Sequence, residues 1–153
     1  MKNQTINSIV SWIERFSVNN PFVRGFGSGD TGYFNADVMK YPFLWVSPMG
    51  SIFTLDSNNT GIIFEFNILI MDRVNYIQDK DNELDIISDS TQVAQDLIFL
   101  LRRDGEFKVN SASVKTAYQG ASTSNNKEVG VILQLQIKAP YIACITPEII
   151  PTP

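Results

Sequence analysis

The sequence predicts an α+β fold: an antiparallel sheet of about five strands with two helices packed on one face, in the order α-β-β-β-α-β-β. Three observations carry this. Residues 6–16 and 84–101 place apolar side chains at helical spacing. Residues 62–72 and 128–139 alternate side chains with the period of a strand. The segments between are turn-rich, and consecutive strands joined by turns run antiparallel.

The first helix follows from Ile6, Ile9, Val10, Ile13 and Phe16, which fall on one face, with Trp12 beside them. Thr5 supplies an N-cap. Asn19-Asn20-Pro21 ends the helix, because proline disfavours helical geometry in the residue before it. Residues 22–41 read as an irregular stretch with Gly25, Gly27, Gly29 and Gly32 among aromatic residues. A strand is expected over Tyr41–Val46, a turn at Pro48-Met49-Gly50 and a short strand over Ser51–Leu55, before the turn Asp56–Gly61.

The clearest strand comes next. Ile62, Phe64, Phe66, Ile68 and Ile70 form one face, and Ile63, Glu65, Asn67, Leu69 and Met71 the other. The first face belongs to the core; the second is mixed and reads as a surface that an assembly covers. The second helix opens on Asp79, Asp81, Glu83 and Asp85, where acidic charge favours the positive helix end. Its stripe is Leu84, Ile87, Ala94, Ile98 and Leu101, flanked by Val93, Leu97 and Leu100. Arg102 and Arg103 fill the last turn and Gly105 stops it. A polar strand over Glu106–Tyr118, a hairpin loop over Gly120–Asn126 and an alternating strand over Glu128–Ala139 complete the fold. Residues 1–139 thus read as one domain. Residues 140–153, with Pro140, Pro147, Pro151 and Pro153, read as an extended arm.

Composition bounds the function. The chain has 153 residues, 44% apolar and 18% charged, which suits one domain with its own core. A net charge of −4 argues against a free-standing nucleic-acid reader, which carries a basic face. No apolar run approaches the ~20 residues of a membrane-spanning helix, and the first residues lack the pattern of a signal peptide. A protein made and used in a cytoplasm, or packaged from one, is therefore expected.

Histidine is absent. That removes histidine-dependent triads, Cys/His pairs and histidine-bearing zinc sites. The single cysteine, Cys144, lies in an apolar run and reads as a small hydrophobe. The spacing of Asp79, Asp81 and Glu83 resembles a calcium loop, but Leu84 stands where glycine is required and Ser90 where glutamate is. The run Gly25–Gly32 lacks the Gly-Lys-Ser/Thr ending of a phosphate loop. Trp12, Trp45, Phe26, Tyr33 and Phe34 have few basic neighbours, so packing and subunit contact explain them better than base stacking. No enzymatic activity, cofactor, metal or catalytic residue is expected.

Three stretches carry a resemblance to a known family. They are Ile68-Leu69-Ile70-Met71-Asp72-Arg73-Val74, Glu83-Leu84-Asp85-Ile86-Ile87-Ser88-Asp89-Ser90 and Gln95-Asp96-Leu97-Ile98. With the element order, they resemble tail-terminator and head–tail connector proteins of tailed bacteriophages, most of all neck proteins of crAss-like phages of gut Bacteroides. The resemblance spans roughly residues 4–139. It implies a structural virion protein made in the host bacterial cytoplasm, forming a homo-oligomeric ring of about six or twelve copies in the neck or tail. Such a ring joins capsid and portal to tail and lines the DNA channel. Its partners are its own copies and the adjacent portal, neck or tail proteins, with passive contact to translocating DNA and none to a membrane. A neutral or acidic lumen suits DNA passage, with Arg102 and Arg103 facing an interface or solvent.

On that reading the contact candidates are Phe26, Tyr33, Phe34 and Trp45, then Ile63, Leu69 and Met71 on the mixed face. Ser122 and Asn125 of the hairpin loop and Pro147, Ile149 and Pro151 of the arm would reach neighbours. Two readings from other classes stand beside it: a non-viral cytoplasmic protein-binding adaptor, and a small hydrolase working through paired carboxylates.

Overall fold

A computed structural model describes residues 5–30, 39–55, 61–74, 80–119 and 127–140. Two helices and five strands form an α+β fold: α1 (Ile6–Asn19), β1 (Gly25–Ser28), β2 (Phe43–Leu55), β3 (Gly61–Arg73), α2 (Lys80–Asp104), β4 (Lys108–Gln119) and β5 (Glu128–Pro140). The element order is the one expected. The sheet runs β1-β2-β3-β5-β4. It is antiparallel throughout except between β1 and β2, which are parallel.

The order holds although two elements differ from the sequence reading. Gly25–Ser28, read as irregular, is β1; it pairs Gly25 with Phe43 through Ser28 with Val46. Conversely, Tyr41–Val46 and Ser51–Leu55 are not two strands. Phe43–Val46 and Ser51–Leu55 belong to one strand, β2, which Tyr41 and Pro42 precede, and the expected turn at Pro48 is a register shift between Pro48 and Phe53 within it. A bulge admits a proline to a strand, because the ladder is already broken there.

Local chemistry accounts for the helices. Thr5 caps α1 as expected: its hydroxyl accepts from the Ser8 N–H at 3.2 Å, while the Ser8 hydroxyl accepts from the Thr5 N–H at 2.8 Å. Ile9, Trp12, Ile13 and Phe16 are buried. Gly105, with φ of +75°, ends α2 in the left-handed conformation that favours glycine.

Both helices cover the same sheet face. There Ile9, Ile13, Val93, Leu97 and Leu101 meet Leu44, Phe66, Ile68, Ile70, Val131, Leu133 and Leu135 in one cluster. The buried line of α2 is rotated from the one expected. Ile86, Ser90, Val93, Ala94, Leu97 and Leu101 point inward, while Leu84 is 63% exposed.

Candidate interaction site

The second sheet face divides into an apolar and a polar half. Phe43 and Trp45 of β2, Leu69 and Met71 of β3 and Ala117 of β4 form a buried cluster, with Met39, Tyr41 and Ile132 packed on it. The sequence reading left this face for an assembly to cover. In the fold, residues of the same chain lie against it, because Met39 and Tyr41 immediately precede β2 and are carried over its outer side. Met71 is 0% exposed and Trp45 and Leu69 are buried, so these three contact candidates stand behind the surface.

Trp45 is held by its neighbour strand. Its indole N–H donates to the Gly29 carbonyl at 3.0 Å. A Cβ on Gly27, its partner across the β1–β2 pair, would come within 2.3 Å of the Trp45 ring. Glycine at position 27 is what lets the indole lie flat on β1. Phe26, on the alternate face of β1, packs against the main core. Ile63 is half-buried near the other end of β3. Tyr33, Phe34, Ser122, Asn125, Pro147, Ile149 and Pro151 lie outside the described residues, as do Cys144 and Asp79.

A charged trio fixes the covering segment. Arg73 and Glu128 are cross-strand partners on β3 and β5. The Tyr41 hydroxyl donates to Glu128 Oε1, and the Arg73 guanidinium lies 4.6 Å above the Tyr41 ring. Phe43 meets that ring edge-on at 5.4 Å. Burial first, then the hydrogen bond to Glu128 and its charge, push the Tyr41 hydroxyl up to about 12. The second Glu128 oxygen is buried without a hydrogen-bond partner. Opposite charges facing across two strand ends were a legible pairing signal; their closure by Tyr41, far off in sequence, was not.

The polar half is a ladder of amides and hydroxyls. Asn110 Nδ2 donates to Gln136 Oε1 at 2.9 Å, and Gln136 Nε2 to Glu65 Oε1 at 2.7 Å. It ends at β4, the open edge of the sheet. Only Ala117 is buried among residues 108–118, and Val114 and Tyr118 are exposed apolar residues on that edge. The sequence reading takes Phe107, Val109 and Val114 as the anchors of this polar strand; Phe107 is buried, but Val114 is exposed, and Tyr118 drew no reading of its own.

The acidic entry of α2 does not act as a solvated cap at Glu83, which pairs with Lys127 just before β5. Nearby Asp72 has its carboxyl raised above the usual range, chiefly by burial. Among the described residues, no three Asp, Glu or Cys side chains converge as metal ligands would, and no helix is long and apolar enough to cross a membrane. Arg102 and Arg103 are exposed, the latter 6.0 Å over the Phe99 ring.

No protein-family model matches the chain, and comparison with curated proteins finds no significant match.

Proposed function

We propose that the chain is a structural ring protein of the neck or tail of a tailed bacteriophage, joining capsid and portal to tail around the DNA channel. The observation that carries this reading is the open β4 edge. Among the described residues, a strand of 12 residues ends the sheet with no further strand on its outer side, and Val114 and Tyr118 are exposed on it. Such an edge is a template for pairing with another chain. The opposite edge is the 4-residue β1, so the two ends of the sheet are unlike. Unlike patches suit a heterologous contact, the kind that closes a ring when the rotation permits. The element order is also the one the family resemblance implies.

Light scattering coupled to size exclusion, with negative-stain electron microscopy of the purified chain, tests the reading. Closed rings with a central opening are the expected result. A monomer at every concentration, together with absence of the chain from purified virions, would overturn it.

A further inference from the structure

A groove of about 910 Å³ lies between α1 and α2. Its walls are Trp12, Arg15 and Phe16 on α1 and Phe99, Leu100 and Arg103 on α2. The helices are tied where the Trp12 indole N–H donates to Asp104 Oδ2 at 2.5 Å, and the groove runs from that tie toward Pro21. Phe99 is 62% exposed on its rim.

We propose that this groove seats the chain's own C-terminal segment, Tyr141–Pro153. The segment begins where β5 ends. Lys138 of β5 is the cross-strand partner of Lys108, and Glu106, two positions before Lys108, lines the groove. The segment's thirteen residues reach about 40 Å as a polyproline II strand. Its composition fits. Pro147, Pro151 and Pro153 favour that extended form, and Tyr141, Ile142, Ile145, Ile149 and Ile150 supply apolar side chains. Proline-rich extended segments dock in aromatic-lined grooves because little conformational entropy remains to be lost. The groove's charge is mixed, with Arg15 and Arg103 against Asp96, Asp104 and Glu106, so the segment's one charged residue, Glu148, finds a counter-charge only beside the two arginines and the apolar contacts carry the docking. A tether this short holds the segment at an effective concentration on the order of millimolar, which favours the same chain over a free neighbour.

Cys144 is the chain's single thiol and lies within the segment, so a nitroxide attached there to the full chain reports its position. The two tryptophan indole N–H resonances are the readout. Trp12 lies in the groove, whereas Trp45 donates to Gly29 on the far side of the sheet. Strong broadening of the Trp12 signal, reversed by reducing the nitroxide, is expected, with Trp45 unaffected. An unaffected Trp12, or equal broadening of both, would overturn the proposal. Moving the label with Cys144→Ser and Thr152→Cys should preserve the selectivity, and Ile149→Asp should remove the broadening; the opposite results count against docking. In a mixture of isotope-labelled Cys144→Ser chain with nitroxide-bearing unlabelled chain, no broadening is expected. Broadening there would assign the groove to another copy's segment and defeat the proposal.

Discussion

At Gly130 of β5 the backbone of β3 leaves no room for a side chain. A Cβ there would sit 1.9 Å from the Ile70 carbonyl oxygen, with no side chain available to yield. Relief requires separating two central strands, so Gly130→Ala should cost more than the ~1–3 kcal/mol of ordinary overpacking. A large fall in the urea midpoint checks this. Tyr41 makes a prediction in pH. Its folded value, about 12, lies above the ordinary tyrosine value of 10.0. The folded state therefore holds the phenolic proton more tightly. The stability this contributes is present below pH 10 and is lost as pH rises from 10 toward 12. Absorbance titration should show one tyrosine ionising late, and Tyr41→Phe should abolish that phase and flatten the alkaline loss of stability. Asp72 has the same sign as Tyr41, the reverse of the usual carboxyl. Its raised value means that stability falls as pH rises through the carboxylate range, so Asp72→Asn should stabilise the protein at neutral pH.

At the scale of elements, α2 offers the sharpest test. Its inward line passes through Ile86 and Ser90 and leaves Leu84 outside. Ile86→Ala should cost about 2–4 kcal/mol and Leu84→Ala about 0.5 kcal/mol or less. Ser90 is 0% exposed and its hydroxyl has no hydrogen-bond partner. Ser90→Ala should therefore raise stability by about 0.5–1.5 kcal/mol, by removing a buried unmet polar group and improving helix propensity. Denaturant midpoints separate all three. The rotated stripe also shows what was legible in the sequence. In α1, the cap, the apolar period and the Asn-Asn-Pro stop agree, and the helix forms where they place it. In α2, Leu84, Ile86 and Ile87 are all apolar, so the sequence admits two phases in the first turns, and only packing against Val74 and Val129 selects the one with Ile86 inward. The strands β3 and β5 were legible because alternation is sustained over their full length. β1 was not. Gly-Phe-Gly-Ser has no period to read, and it becomes a strand because Phe43–Val46 offers it a parallel partner and Trp45 needs a bare backbone to lie on. The contact candidates divide the same way. Alternation placed Leu69 and Met71 on the second face, but the cover supplied by Tyr41 depends on a tertiary contact that local pattern does not encode.

For the whole molecule, the division of labour between fold and assembly is the decisive matter. Both sheet faces bury apolar clusters within one copy. The core is therefore complete before any neighbour arrives, and a dissociated chain should remain folded. An obligate oligomer behaves differently, because its stability rises with concentration through mass action. If the proposed rings form, they should come apart on dilution without loss of near-ultraviolet circular dichroism, in two separable transitions. The β4 edge allows this to be tested by mutation. Val114 and Tyr118 are 37% and 58% exposed, so neither contributes much to the monomer core. Val114→Glu with Tyr118→Glu places two charges along the edge, the means by which natural sheets refuse edge-to-edge pairing. The second charge falls beside Lys127, whose ammonium lies 5.9 Å from the Tyr118 ring, so it meets an opposite charge within its own chain. Monomer stability should change by no more than about 1 kcal/mol, while the ring signal in light scattering disappears. If rings persist with both glutamates in place, β4 is not the joint between copies, whatever else the chain assembles with.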